Sequence, residues 1–292
     1  NSFVALRIQG IQRAMNVFHT RTAISEEVEK LRADGKTIGF VPTMGALHEG
    51  HLTLVRRAFQ QSDAVIVSIF VNPTQFNNLS DLEKYPRMLE KDVALLGSVG
   101  NIIVFAPSYE EVYPAEDQYL PIDLDGLDEV MEGKFRPGHF QGVVHVVRNL
   151  FNIVRPDKAF FGLKDFQQLA IIQKMVRVLK IPVDIVPCPT TRENNGLALS
   201  SRNLRLTDSE RQDALILFNT LQFVSGLKKD CTPAKAKEKA IEFFAKGKLK
   251  LEYLEVVDSE TLQTLTEHWG ESSACCIAAF CGDVRLIDNV QL

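Results

Sequence analysis

What the chain lacks narrows its chemistry first. Its five cysteines, Cys188, Cys231, Cys275, Cys276 and Cys281, are odd in number, two are adjacent, and none form a C-x-x-C pair. That usage counts against a disulfide framework or a zinc ribbon and predicts reduced core residues, as in a cytosolic protein. No apolar run approaches the ~20 residues needed to span a bilayer. Positive charge is not in excess: 33 Lys and Arg against 37 Asp and Glu leave a net charge of −4. The balance argues against a general nucleic-acid or membrane-surface binder, while leaving room for a local basic pocket. Also missing are the G-x-G-x-x-G of dinucleotide sites, the Walker A loop and the H-E-x-x-H of zinc proteases. Internal repeats and low-complexity segments are absent.

What is present is globular material, 45% hydrophobic and 24% charged, over a length that suits about two domains of ~100–200 residues. Residues 1–14 contain Arg7 and Arg13 but no acidic residue, and Met15 resembles a natural start. The segment reads as a cloning remnant or N-terminal extension, with a transit-like segment as the alternative, and is set apart from the fold.

The rest is organised around residues 39–58. An apolar run over 38–41 predicts a buried strand closed by Pro42, followed by a turn through Thr43, Met44 and Gly45. His48 and His51 then flank Gly50, and Leu52, Val55 and Phe59 recur at helical spacing, which puts His51 in the first turn of a helix. A strand passing through a small-residue turn into a helix aims free backbone N–H groups and the helix dipole at one point, which suits a phosphate. The histidines add donors there, and positive charge if protonated.

Upstream, Ser25 is expected to cap a helix to about residue 33, with Val28 and Leu31 inward and Asp34-Gly35 as its stop. Residues 64–71 are apolar on both faces and predict a central strand of a parallel sheet, which completes a βαβ unit. The loop Asn72-Pro73-Thr74-Gln75-Phe76 leaves from the same edge, where ligands of open α/β sheets bind. Gln75 is therefore a candidate contact; the alternative is a solvated loop amide. A helix is expected over 81–96 through Leu82, Tyr85, Leu89 and Val93, with Pro86 in its first turn or at a kink. On it, Asp92 reads as a solvated carboxylate or as a contact to metal or water. A strand over 102–106 precedes an excursion, 107–138, rich in proline, glycine and acidic residues.

A helix over 143–153 and a strand over 158–161 lead to Gly162-Leu163-Lys164-Asp165, with Asp165 expected to cap a helix whose apolar face carries Leu169, Ile172, Val176 and Leu179. Lys164 occupies the same strand-end position as the histidines. Alone it would be solvated; in that company a phosphate contact is the better reading. A strand over 183–186 ends in Pro187 and Pro189, the expected domain boundary: 15–189 forms a Rossmann-like domain and 190–292 a smaller α/β domain. In the latter, Ser200, Ser201 and Arg202 gather hydroxyls and a guanidinium. Thr207 and Glu210 form a capping box for a helix to about 227, Thr232-Pro233 opens another, and strands follow over 251–257 and 274–280, with a short one over 284–287.

His48 and His51, Lys164, and Ser200 to Arg202 thus fall on one predicted edge. All are donors able to neutralise a polyphosphate and the charge that develops as a P–O bond breaks. Attack of a carboxylate on ATP with nucleotidyl transfer fits them, with Mg²⁺ as a further clamp. No Ser–His–Asp or Cys–His arrangement is evident, so an intermediate is expected on AMP. A non-catalytic nucleotide-binding module is a different reading, against which the full set of charged donors argues.

His48-Glu49-Gly50-His51 resembles the HxGH signature of the nucleotidyltransferase and class I aminoacyl-tRNA synthetase superfamily. Residues 42–51, Asn72 to Phe76, Phe161-Gly162 with Lys164-Asp165, Gln167-Gln168, and Ser200-Ser201-Arg202-Asn203 together resemble the pantothenate synthetase family, in order and spacing, from Met15 onward. The resemblance implies an α/β fold, a Rossmann-like parallel sheet with a smaller α/β lid domain. It implies an AMP-forming ligase: pantoate attacks ATP to give pantoyl adenylate and pyrophosphate, and β-alanine then displaces AMP. Carried over by position, Met44, Gly45, Ala46, Leu47, His48, Glu49, Gly50 and His51 line the ATP site, as do Gly162, Leu163, Lys164, Asp165, Thr191, Leu199, Ser200, Ser201 and Arg202. The resemblance gives catalytic roles to His51, His48, Lys164 and Arg202, and gives pantoate and β-alanine to Gln75 and Gln168, with Tyr85 and Arg136 nearby. It implies ATP as substrate with Mg²⁺, whose ligands the motifs leave unknown, and a cytoplasmic homodimer with no nucleic-acid or membrane partner. Departures from the family pattern are Asn195 in place of an aspartate, and His145 and Asn149 after Gly142. Another HxGH enzyme, adenylylating a phosphorylated cofactor precursor, is the nearest alternative; it would retain AMP in its product.

Overall fold

The structure is a computed structural model describing residues 2–4, 15–76, 79–119 and 121–292. It divides into two compact units. The first comprises the described residues up to Leu124, with Arg136–Gly162 and Ile171–Cys188; the second comprises Asp125–Phe135, Leu163–Ala170 and Pro189–Leu292. Residues 125–135 and 163–170, which a linear division at 189 groups with the first domain, thus pack in the second unit.

The first unit is built on a sheet of β1 (Ser2–Val4), β2 (Met15–Phe18), β3 (Ile38–Thr43), β4 (Ala64–Ile69), β5 (Ile103–Phe105), β6 (Lys158–Gly162) and β7 (Asp184–Cys188). Their order is β1-β2-β5-β4-β3-β6-β7. β1 pairs antiparallel with β2, and every other pair is parallel. β1 lies within the stretch set apart above; residues 5–14 lie outside the described residues. Ile38, Phe40, Val41, Ile66 and Val67 are fully buried, as the doubly apolar runs require of central strands. From β3 the chain moves through β4 to β5 on one side and later through β6 to β7 on the other. The switch point between β3 and β6 is where open α/β sheets open a crevice for ligands.

Several expected boundaries move, for local reasons. The first helix is Arg21–Ala33, capped by Thr20 and not by Ser25; the Thr20 hydroxyl accepts from the Ala23 N–H at 3.3 Å. Pro42 does not close β3. Pairing to β6 stops at Phe40↔Ala159, whereas pairing to β4 continues through Pro42↔Ser68 to Thr43↔Ile69. The expected 81–96 helix is two helices, Leu79–Lys84 and Leu89–Gly97, with Pro86 between them. The helix expected over 143–153 begins earlier, as His139–Val154, behind Gly138 at φ +79°. Asp165 is not a helix cap: a 3-10 turn, Leu163–Asp165, runs straight into the helix Phe166–Leu179. On that helix Leu169, Ile171, Ile172 and Met175 are buried, whereas Leu179 is 40% exposed. Pro187 lies inside β7, an edge strand, where a missing N–H is tolerated.

The second unit carries an antiparallel sheet, β10-β9-β8, of β8 (Lys250–Asp258), β9 (Ser273–Cys281) and β10 (Val284–Gln291). Leu217, Leu221 and Val224 of the helix Leu215–Leu227 and Phe244 of Pro233–Phe244 share its core with Leu254, Val256, Cys275 and Ile277. The Thr207 and Glu210 capping box forms as expected. β10 is not short. It stays in register to Gln291↔Ala274, because Asp288 and Asn289, which look like a polar stop, are buried. All five cysteines are free, and burial pushes the Cys188 and Cys275 thiols up.

Candidate active site

The loop after β3 is held tightly. Thr43 donates its hydroxyl to the Ser68 carbonyl at 2.7 Å and accepts the Gly45 N–H at 3.2 Å. Gly45 stands at φ +81° and Ala46 at φ +50°. A Cβ on Gly45 would meet Asp92 Oδ2 at 2.9 Å, so the position excludes larger residues by both conformation and space. Asp92, on Leu89–Gly97, is only 2% exposed. Its carboxylate accepts the Ala46 N–H at 2.9 Å and the Leu47 N–H at 2.8 Å. It is therefore not a solvated carboxylate, which corrects that reading of its sequence position. Burial raises its pKa against the two backbone hydrogen bonds, which lower it.

His48 caps the helix Glu49–Gln61 and His51 is its third residue. His48 Nδ1 accepts the Gly50 N–H at 3.1 Å, and His51 Nδ1 accepts the His48 N–H at 3.3 Å. This is a capping box in which imidazoles replace the usual hydroxyl and carboxylate. With each Nδ1 accepting, the proton of the neutral ring belongs on Nε2. The pair therefore presents two neutral donors, with ring centroids 4.1 Å apart. The expectation of free backbone N–H groups is corrected here. Those of Gly45, Ala46, Leu47, His48 and Gly50 bond to side chains of the turn and Asp92, and those of His51 and Leu52 bond to the His48 carbonyl. Glu49 turns outward to Arg56.

Gln75 comes to the same edge. It ends the 3-10 turn Pro73–Gln75, and its Nε2 donates to Met44 Sδ at 2.9 Å, so two sequence-distant motifs touch. Its placement depends on Asn72, which is 1% exposed. Asn72 Nδ2 donates to Gln75 Oε1 at 3.1 Å and to the Gly142 carbonyl at 3.3 Å, while its Oδ1 accepts from the Tyr113 hydroxyl at 2.9 Å and from Thr74 Oγ1 at 3.0 Å. Burial pushes the Tyr113 phenol up to about 12, which keeps it a donor. The Gln75 carbonyl is held by His139 Nδ1 at 2.8 Å and Arg136 Nη2 at 3.5 Å. Tyr85 packs edge-on against Phe76. Gly142 lies so close to this turn that a Cβ there would meet the Thr74 carbonyl at 2.6 Å.

His145 and Asn149 serve the excursion and not the turn. His145 Nε2 lies 2.6 Å and Asn149 Nδ2 2.7 Å from Asp117 Oδ2, and the His145 ring sits between those of Tyr113 and Tyr119. Burial would raise the Asp117 carboxyl, but the hydrogen bonds from Asn149 and His145 and the nearby charges outweigh it, leaving its pKa below the usual value.

In the second unit, Lys164 lies in the turn Leu163–Asp165 with its side chain 18% exposed and its Nζ 3.9 Å from Asp165. Of the adjacent glutamines, Gln167 is buried, donating to the Leu127 and Val130 carbonyls at 2.7 and 2.8 Å and accepting the Glu132 N–H at 2.9 Å. Gln168 is half-buried. Thr191 accepts the Leu199 N–H at 3.0 Å across a hairpin bridged at Arg192↔Ala198, whose turn is stabilised by Asn195 Oδ1 accepting the Leu197 N–H at 3.1 Å. An amide oxygen suffices for that bond, so the Asn195 departure is accommodated. The hairpin leads into Ser200, which caps the turn Ser201–Arg205 by accepting the Arg202 N–H at 3.3 Å. A second grip on the Lys164 turn comes from Asn289, whose side-chain amide donates to the Leu163 and Lys164 carbonyls. The candidates thus form two sets: Met44 to His51, Gln75 and Gly162 in the first unit, and Leu163 to Asp165, Gln168 and Thr191 to Arg202 in the second. Sequence reasoning places Asn72 in a motif without giving it a role and misses Asn289, because the partners of a buried amide are not written in one sequence. Asp92 alone leaves a trace, a charge beside Val93 and Leu96 on a buried face.

A doubly wound sheet with an HxGH turn at its switch point defines a nucleotide-binding α/β enzyme. Comparison with known proteins makes the assignment specific: residues 16–291 match the family model of pantoate-β-alanine ligase, and the chain belongs to that family. It is 50% identical over 291 residues to a pantothenate synthetase of Phocaeicola vulgatus, covering 95% of this chain and 99% of the relative. Among solved structures, pantothenate synthetase from Thermus thermophilus superposes with a TM-score of 0.88 at 40% identity, covering 94% of this chain and 99% of that one. A pantoate-β-alanine ligase from Francisella tularensis, complexed with β-γ ATP and β-alanine, gives a TM-score of 0.78 at 35% identity, covering 95% of this chain and 97% of that one.

Proposed function

We propose that the chain makes pantothenate in two steps on AMP. The pantoate carboxylate attacks the α-phosphorus of ATP and pyrophosphate leaves. The β-alanine amine then attacks the acyl carbon, forming the amide as the bond to AMP breaks. The observation that carries the site assignment is the contact of Gln75 with Met44 beside the histidine capping box at the switch point. It brings an amide, suited to orienting a small hydroxy acid, onto the turn that leads into the histidine pair, whose Nε2–H donors suit phosphate oxygens. In this reading His48 and His51 stabilise charge on the phosphates as pyrophosphate departs, Lys164 and Arg202 neutralise it, and Gln75 and Gln168 orient pantoate. Among the described residues no group of three His, Cys, Asp or Glu could hold a metal ion. In this reading Mg²⁺ arrives on the ATP phosphates, as this ion often does. A cytoplasmic homodimer and a lid role for the smaller domain rest on the family resemblance.

Pantoate-dependent ATP–pyrophosphate exchange without β-alanine tests the first step, and β-alanine-dependent release of free AMP tests the second. No exchange by folded protein, or AMP retained in the product, would sink the proposal. His51→Ala and Lys164→Ala are each expected to lower exchange by about 10²–10³-fold, the usual loss for one preorganised donor, with melting temperatures near that of the parent chain. Full exchange in both variants would refute the site assignment.

A further inference from the structure

Near its C-terminal end β10 carries two adjacent polar residues, Asp288 and Asn289, each 5% exposed and unused by the chemistry above. Asn289 Nδ2 donates to the Leu163 carbonyl at 2.9 Å and the Lys164 carbonyl at 2.8 Å. One amide nitrogen, with two hydrogens, thereby pins the turn that carries Lys164. Asp288 takes the Arg192 guanidinium through two bonds, of 2.6 and 2.9 Å. Arg192 in turn donates to the Gly196 carbonyl at 3.1 Å and lies 4.9 Å over the Phe218 ring, so it fixes the hairpin that runs into Ser200 to Arg202. The two grips are joined: Asp288 Oδ1 accepts the Asn289 N–H at 2.8 Å, and Arg192 Nη2 donates to the Asn289 carbonyl at 3.2 Å.

We propose that Asp288 and Asn289 are positioning residues for adenylation, which tie the Lys164 turn and the Arg202 segment to one strand end so that both cations meet the same polyphosphate. This rests on the reading that Lys164 and Arg202 hold the phosphates of ATP. Asparagine suits 289 because two carbonyl acceptors call for a donor; a carboxylate there would face them with like partial charge. Neither residue contacts the reacting atoms, so each acts only through the segment it holds.

The test is a double-variant cycle on pantoate-dependent exchange, with thermal melting alongside. Asn289→Ala is expected to lower kcat for exchange by about 10- to 100-fold, the effect of misplacing a charged contact by about an ångström, with the pantoate KM near its parent value. Adding Asn289→Ala to Lys164→Ala should slow exchange less than twofold further, since the amide works through the lysine. A residue that merely supported the fold would give losses that multiply, and that result overturns the proposal, as does full activity in Asn289→Ala. Should Asn289→Ala not fold, Asn289→Leu, close in size to asparagine but without a donor, enters the same cycle with the same criteria. Full exchange in Lys164→Ala alone would instead refute the reading beneath the proposal, so the two failures are distinct.

Discussion

At the scale of the residue, Asn72 does more for the candidate site than its place in a loop suggests. Both ends of its amide are occupied, by Gln75 and Gly142 on one side and by Thr74 and Tyr113 on the other. Asn72→Ala would strand buried donors and acceptors, at a cost of about 1–3 kcal/mol, readable as a lower urea midpoint. It should also raise the pantoate KM, because Gln75 loses the donor that fixes its side-chain oxygen. An unchanged KM would show that Gln75 is held by Met44 and the backbone alone. The histidines are legible in the sequence because an HxGH spacing at a helix start is local. Their protonation pattern is not, since it depends on which backbone N–H each Nδ1 meets. The role of Asp92 is hidden for a related reason: its partners lie 45 and 46 residues away, and no periodicity reports a contact at that range.

At the scale of the element, the parallel strands are legible because double-sided apolar runs have few other uses. Helix breaks and strand ends are less so, because they turn on a proline between two short helices or on where a neighbour's ladder stops. The excursion over 107–138 reads only as irregular, yet its described part is anchored. Asp117 receives Asn149 and His145 from the helix His139–Val154, with Arg148 at 3.4 Å. Because the folded-state pKa of Asp117 is lowered, the stability it contributes is present above the ordinary carboxylate value of ~3.9 and is lost as pH falls through the depressed value. Hydrogen exchange over residues 109–119 should therefore accelerate as pH drops below about 4, beyond the intrinsic trend. Asn149→Ala should bring that loss of protection to higher pH, because the hydrogen bond that helps depress Asp117 is gone. Identical pH profiles for the two proteins would count against Asp117 as the anchor.

At the scale of the whole chain, the second unit is assembled from three stretches that are not consecutive, and this organisation leaves no mark in composition. Glu132, from the short helix Met131–Phe135, accepts the Tyr253 hydroxyl at 2.9 Å and two bonds from Arg285, at 2.7 and 2.8 Å, while Gln167 secures the backbone around it. Glu252 binds the other side of Arg285. Burial alone would lower the Arg285 pKa, but the two carboxylates outweigh it and hold it above the usual value. A buried pair of this kind is weak evidence of net stabilisation, but removing one partner is costly because the other charge stays buried. Glu132→Ala should therefore destabilise the second unit by about 3 kcal/mol, the low end for such a loss because Glu252 remains. The chain has one tryptophan, Trp269, in that unit, its indole donating to the Cys231 carbonyl at 2.9 Å. Its fluorescence thus follows the second unit selectively during urea unfolding. The expected outcome is a Trp269 transition moved to lower urea in Glu132→Ala, with a larger shift than in Glu252→Ala, which leaves the Glu132 bonds in place. Equal midpoints for Glu132→Ala and the parent chain would mean that residues 125–135 are carried by the second unit without helping to hold it together.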